Sequence, residues 1–145
     1  MRTRLLAVAL VAVLSATVVV VAAAETSANG LPSYTNGYQK WPKVNDKPIL
    51  TDRLGAHNGV KNVYASKRKA GKKYPNGTVV VKTIVTPRTK YVGQFAVMRK
   101  VNGRWRYIEY ERSSATARYT VLAQGQLCAS CHVMAKSNDY VFTKR

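Results

Sequence analysis

The sequence predicts an α+β fold, built mainly from an antiparallel β-sheet with a few short helices. Residues 78–86 are β-branched at every position except Lys82, a composition that favours a strand over a helix. Residues 91–101 and 104–112 also read as strands, and only Asn102-Gly103 separates them. Asn-Gly between two such segments is typical of a two-residue β-hairpin turn, so these two strands are expected to pair antiparallel.

The other predicted elements are shorter. Residues 60–65 and 119–123 are candidate strands, and the Tyr-Pro-Asn-Gly sequence at 74–77 predicts a turn. A short helix is expected near Tyr38, and the segment after Gly125 is expected to be helical. These elements suffice for one domain whose helices are minor additions to a sheet.

The start of the chain has the three parts of a secretory signal peptide. Two arginines among the first four residues precede an apolar stretch that ends in three alanines at residue 24. We therefore expect residues 1–24 to be a signal peptide and residues 25–145 to form a single periplasmic domain. A retained membrane anchor is the alternative, because an apolar run of this length can span a bilayer.

The charge of the chain is strongly positive. It has 24 Lys and Arg residues against six Asp and Glu, a formal net charge of +18. Such a protein is attracted to anionic surfaces and acidic partners, and an exported protein is not expected to meet nucleic acid. The basic residues at 67–69 and 72–73 are interpreted as a solvated face rather than as a specific site.

The only two cysteines, Cys128 and Cys131, are followed directly by His132. This C-x-x-C-H spacing is the attachment motif of c-type haem. Two thiols three residues apart on a helix add to the two vinyl groups of the porphyrin, and the adjacent histidine becomes the proximal iron ligand. We therefore expect one covalently attached haem c, with His132 as the metal ligand.

Other roles for the two cysteines fit less well. A disulfide is possible in an oxidising compartment, but it does not need the adjacent histidine. Zinc requires four ligands; the chain offers two cysteines and two histidines, but His132 lies directly beside Cys131, which makes joint ligation of one metal by the two awkward. A redox C-x-x-C normally opens a helix in a βαβ fold, and no such pattern precedes this one.

The sixth iron ligand is not evident from the sequence. Met98 lies in an apolar strand and His57 beside a turn, where a core residue and a structural or exposed histidine are the simpler interpretations. Met134 is only two residues from His132 and does not easily reach the opposite side of a haem. An open sixth position, which binds small ligands, is therefore expected.

Strand alternation marks two more residues. Lys82 shares a face with Val80 and Ile84, so it points either inward or outward from an edge. Phe95 shares a face with Gly93, an arrangement that suits either the wall of a small-ligand pocket or an ordinary core aromatic.

Several motifs together resemble the cytochrome P-460 family, which includes the related gas-binding cytochromes c′-beta. They are, in chain order, Tyr74–Lys82, Tyr91-Val92-Gly93, Trp105-x-Tyr107, the C-x-x-C-H motif and Asp139–Phe142. The resemblance extends from about Tyr38 to Phe142. It implies a mainly antiparallel β domain that forms homodimers and holds a five-coordinate haem.

The resemblance also implies roles for two residues. In the hydroxylamine-oxidising members, a lysine that matches Lys82 bonds to the porphyrin edge, and a distal carboxylate relays protons. As we align the strands, the carboxylate position falls on Phe95, and no acid lies between Asp52 and Glu109. Phenylalanine cannot act as a base, so the resemblance favours a c′-beta-like protein that binds nitric oxide or carbon monoxide.

Two alternatives remain open at this point. One is an enzyme that oxidises hydroxylamine with a haem linked to Lys82. The other is a simple electron carrier, for which an acidic redox partner would suit the positive charge of the chain.

Overall fold

The computed structural model describes residues 26–50, 57–86 and 88–143. The expected signal peptide at residues 1–24 lies outside these ranges. Within them, no helix is long and apolar enough to cross a membrane.

A five-stranded sheet forms the centre of the fold. All neighbouring strands are antiparallel, and the spatial order is the chain order. The strands are β1 (Val60–Ala65), β2 (Val79–Val85), β3 (Val92–Val101), β4 (Arg104–Glu111) and β5 (Thr120–Gln124). Each strand predicted from the sequence is present, with its ends shifted by one residue at most, so the predicted α+β class is confirmed.

The helices are short, as predicted. They are α1 (Gln126–His132) and three 3₁₀ helices at Ser33–Thr35, Tyr38–Lys40 and Val133–Asn138. Gly125 precedes α1 with a φ of 67°, which residues other than glycine rarely adopt. This glycine turns the chain from β5 into the helix. Helix α1 carries the whole C-x-x-C-H motif.

The hairpin between β3 and β4 sets the register of the site. Asn102 and Gly103 have φ values of 50° and 76°, as a type I′ turn requires. The turn pairs Val101 with Arg104, and the same register then pairs Ala96 with Glu109 and Phe95 with Tyr110.

Both faces of the sheet are covered. One face packs Val80, Met98 and Tyr107 against α1 and the C-terminal segment; we call it the helix face. On the other face, a second core cluster includes Phe95 and Tyr110 and packs against the N-terminal segment; we call it the N-terminal face. Directly paired residues on neighbouring strands point to the same face, so the register assigns each side chain to one of the two.

Candidate haem site

A cavity lies on the helix face, between the sheet, α1 and the C-terminal segment. The space between its side chains, together with the solvent at its mouth, is about 400 Å³. Its lining consists of His57, Val63, Val80, Lys82, Ala96, Val97, Met98, Tyr107, Ile108, Glu109, Cys128, His132, Val141 and Phe142. Most of these side chains are apolar, and the few polar groups converge on one space, as is typical of a cofactor site.

His132 ends α1 and is held in one orientation inside this cavity. It is only 7% exposed, and its Nδ1 lies 2.7 Å from the carbonyl oxygen of Tyr140. Because a carbonyl oxygen only accepts hydrogen bonds, Nδ1 carries the proton and donates it. Nε2 of the neutral ring therefore keeps its lone pair, which is the tautomer that a metal-ligating histidine needs.

Two aromatic rings fix the plane of the imidazole. The ring centroid of His132 lies 4.8 Å from that of Tyr107 and 5.2 Å from that of Phe142. Burial, helped by the positive charge of Lys82, lowers the pKa of His132 to about 4, so the ring is neutral at pH 7. Burial also raises the pKa of Tyr107 to about 12, so this phenol keeps its proton.

The two thiols fit covalent haem attachment. Cys128 and Cys131 are both free and partly buried, and α1 sets them three residues apart on one side of the helix. Cys128 lines the cavity beside His132. Burial raises the pKa of the Cys128 thiol, and the negative charge of Glu109 adds to this effect. Cys128 and His132 at the cavity, with the free thiol of Cys131 on the same helix, are the donor set that haem c requires.

Lys82 points into the cavity from the middle of β2. It is 8% exposed, and its Nζ lies 5.6 Å from the centroid of the Phe142 ring. The inward orientation is one of the two that strand alternation allowed. The sheet thus brings Lys82 to the same space as His132, although the two residues are far apart in the chain.

Glu109 is a carboxylate that also reaches this cavity, from β4. Its Oε1 lies 2.7 Å from Nδ1 of His57, and both side chains are less than 15% exposed. The pair is both a hydrogen bond and, when His57 is protonated, an ion pair. His57 is therefore mostly buried, and it lines the cavity in contact with Glu109.

The family model described as Cytochrome P460 matches residues 35–143, which is most of the chain. The chain belongs to the cytochrome P460 family. Searches of the curated proteins and of the solved structures gave no significant match. Membership of the cytochrome P460 family identifies the chain as a haem-binding cytochrome, in agreement with the donor set in the cavity.

The sequence alignment of Phe95 with the distal acid of cytochrome P460 enzymes is wrong in this fold. Phe95 pairs with Thr83, whereas Lys82 pairs with Ala96, so Phe95 and Lys82 point to opposite faces. Phe95 is 1% exposed in the core of the N-terminal face, where its ring centroid is 5.0 Å from that of Tyr38. It is an ordinary core aromatic, the second interpretation that its strand position allowed.

The cavity does contain an acid, because Glu109 reaches it from β4. Glu109 closes the acid-free stretch of the sequence, and the β3–β4 register places it opposite Ala96, next to the position of Lys82. The alternation of Trp105, Tyr107 and Glu109 along β4 was the signal for this placement. In this member of the cytochrome P460 family the cavity therefore contains both a lysine and a carboxylate.

The two methionines considered as sixth ligands differ in position. Met98 lines the cavity and is 6% exposed, whereas Met134 is 59% exposed on the surface. Met134 is thus away from the site, and Met98 remains the methionine that a six-coordinate haem would use.

Proposed function

We propose that this chain is an exported monohaem cytochrome that oxidises hydroxylamine or a related small nitrogen compound. The observation that carries the proposal is the carboxylate of Glu109 in the same cavity as Lys82 and His132. Oxidation of hydroxylamine removes protons as well as electrons, so the site needs a base beside the reacting molecule.

In this proposal Cys128 and Cys131 hold one haem through thioether bonds, and Nε2 of His132 ligates its iron. When bound, the haem supplies a redox-active iron that accepts electrons from the substrate. The chain fixes the ligand beforehand, since the hydrogen bond to Tyr140 and the rings of Tyr107 and Phe142 leave the imidazole one orientation.

Glu109 acts as the base. Its Oε2 is free of the hydrogen bond that Oε1 makes with His57, so one oxygen accepts a substrate proton while the other stays anchored. His57 Nδ1 donates to the ionised carboxylate and keeps it turned toward the cavity. The apolar walls at Val63, Val80 and Val141 exclude water, which strengthens the interaction between the base and a small polar substrate.

In this proposal Lys82 would bond to the porphyrin edge; an N–C bond that replaces one N–H and one C–H releases two electrons and two protons, so its formation would need a two-electron oxidant such as a peroxide. The support for this bond is the buried position of Lys82 in the wall of the cavity, together with the resemblance to hydroxylamine-oxidising members of the family. The neighbours of Lys82 on the same strand face, Val80 and Ile84, are buried, so the lysine stem packs beside apolar side chains.

The test is steady-state oxidation of hydroxylamine by the haem-loaded protein with an artificial electron acceptor. Glu109→Gln keeps the shape of the side chain but removes the base, so we expect kcat to fall by about a hundredfold or more. Glu111→Gln is the matched control, because Glu111 is an exposed residue on the same strand and should leave kcat unchanged. Equal activity of the two variants would reject Glu109 as the base.

The second candidate function is binding of nitric oxide or carbon monoxide without turnover. It is favoured by the apolar side chains that form most of the cavity wall, because neutral diatomic molecules bind in dry apolar pockets. A ferrous protein that binds carbon monoxide but does not oxidise hydroxylamine would support this function and contradict the enzyme.

A further inference from the structure

A positively charged groove lies at the end of the sheet where β1 leads into β2. The groove has a volume of about 410 Å³, and its rim carries four basic residues. These are Lys43, Lys67, Arg68 and Lys69. The floor includes Val44 and the ring of Tyr74, so the groove combines cationic walls with an apolar and aromatic base.

Two of the four cations are held in place. Nζ of Lys67 donates a hydrogen bond to the carbonyl oxygen of Asn76 at 3.0 Å. Nζ of Lys69 donates to Oδ1 of Asn138 and also lies 5.3 Å from the centroid of the Tyr74 ring. Ordered side chains lose less conformational entropy when a partner binds, so these cations are better placed than free surface lysines.

The positive charge of the groove is not neutralised within it. None of the described residues that line the groove is acidic. The nearby carboxylate of Asp139 is buried, accepts from Nζ of Lys100 at 2.6 Å, and also accepts the backbone N–H of Tyr74. With a net charge of +18 on the whole chain, the groove concentrates a potential that attracts anionic groups.

The groove and the haem cavity share one wall. Asn138 and Thr143 line the groove, and Val141 and Phe142 between them line the cavity. The ring of Tyr74 on the groove floor packs 5.9 Å from that of Trp105, inside the same core cluster as Tyr107. The C-terminal segment at residues 138–143 thus lines both the groove and the cavity.

We propose that this groove is the docking site for an acidic protein that exchanges electrons with the haem. Carboxylates that project from a protein surface can enter a concave cationic groove. A flat anionic membrane would contact only the basic residues at the rim of the groove. Electrostatic complementarity of this kind speeds encounter and fixes orientation. The proposal does not depend on which small molecule enters the haem cavity.

The experiment measures binding of the haem-loaded protein to the soluble haem domain of cytochrome b5, an acidic electron-transfer protein, by calorimetry at low ionic strength. The groove variant reverses two charges, Lys67→Glu with Arg68→Glu. The matched control, Arg88→Glu with Lys90→Glu, makes the same change in net charge at two exposed positions between β2 and β3, at the other end of the sheet.

We expect the groove variant to weaken binding by about tenfold or more and the control by much less, with the loss disappearing at high salt. Equal weakening by the two variants, or no binding by the unmodified protein, would overturn the proposal. Phosphatidylglycerol vesicles provide the other arm: if the groove variant loses vesicle binding but keeps cytochrome b5 binding, the groove is a membrane site. An unchanged haem absorption spectrum in both variants shows that neither change has disturbed the cavity.

Discussion

His57 orients the proposed base through a single hydrogen bond. Its Nδ1 lies 2.7 Å from Oε1 of Glu109, and His57 lies in the segment just before β1. His57 also has a φ of 56°, a left-handed conformation that few residue types tolerate. The variant that tests its role must keep this backbone conformation.

We predict that His57→Gly lowers kcat for hydroxylamine roughly ten- to a hundredfold, because one hydrogen bond to a charged group contributes about 1.5–3 kcal/mol. Glycine adopts positive φ readily and has no side-chain donor, so the loop should keep its shape while the hydrogen bond is lost. KM should change little, since His57 holds the base rather than the substrate. A variant with unchanged kcat would show that Glu109 needs no such partner.

At the level of elements, the two-residue hairpin made much of the site predictable. Asn102-Gly103 fixes the β3–β4 register, and that register alone puts Glu109 opposite Ala96 and Phe95 opposite Tyr110. The sequence does not predict which of these two pairs shares a sheet face with Lys82. That depends on the β2–β3 register, and the longer connection between those strands does not determine it.

The C-terminal segment was also beyond sequence reasoning. The C-x-x-C-H motif predicts haem attachment from the sequence alone, whereas the hydrogen bond from His132 to the carbonyl oxygen of Tyr140 depends on how the chain turns after α1. Asp139 and Tyr140 both have positive φ values, 53° and 65°, which reverse the chain toward His132. No sequence pattern reliably predicts two consecutive non-glycine residues with positive φ.

A buried ion pair stabilises this reversal. The carboxylate of Asp139 accepts hydrogen bonds from Nζ of Lys100 at 2.6 Å and from the backbone N–H of Tyr74 at 2.8 Å. Burial alone would raise the pKa of Asp139, but these hydrogen bonds and the charge of Lys100 outweigh it and hold the pKa below its usual value. The pair thus ties β3 and the β1–β2 connection to the segment after α1 whose Tyr140 carbonyl accepts the hydrogen bond of His132.

We predict that Asp139→Asn lowers the free energy of unfolding by about 3–5 kcal/mol at pH 7, because it leaves Lys100 buried without its counter-charge. Asparagine keeps the positive φ, so the change isolates the charge. Asp139 contributes stability above the ordinary carboxyl pKa of about 4, and this contribution is lost as the pH falls through its lower folded pKa.

Urea unfolding of the haem-loaded protein between pH 7 and pH 3 measures this prediction. The difference between wild type and Asp139→Asn should shrink toward the acid end. Asp46→Asn, at an exposed position, is the control and should have little effect. A constant difference across the whole pH range would contradict the role given to the ionised carboxylate.

At the scale of the whole molecule, the two edges of the sheet differ. The outer edge of β1 is covered by residues 43–49, which form bridges to Lys61 and Tyr64. Among the described residues outside β4, none pairs with β5. Large apolar side chains are exposed on this strand and on the helices after it, namely Val121, Leu122, Leu127, Val133 and Met134.

The homodimer implied by the family resemblance is a prediction, and we expect β5 to form its interface, since open apolar edges associate. Val121→Lys should convert the dimer to a monomer in sedimentation velocity. Val60→Lys is the control: Val60 is also an exposed valine, but it lies on the covered edge, so the same added charge should leave the dimer intact. A dimer that survives Val121→Lys but not Val60→Lys would place the interface at the opposite edge.

The central feature of the fold is that one cavity brings the attachment motif on α1 and Lys82 on β2 to the same space. The most direct test is mass spectrometry of the haem-loaded protein after denaturation and proteolysis. We predict one haem that joins the peptide containing Cys128 and Cys131 to the peptide containing Lys82. A haem carried by the cysteine peptide alone would contradict the role of Lys82, and peptides without any haem would contradict the site itself.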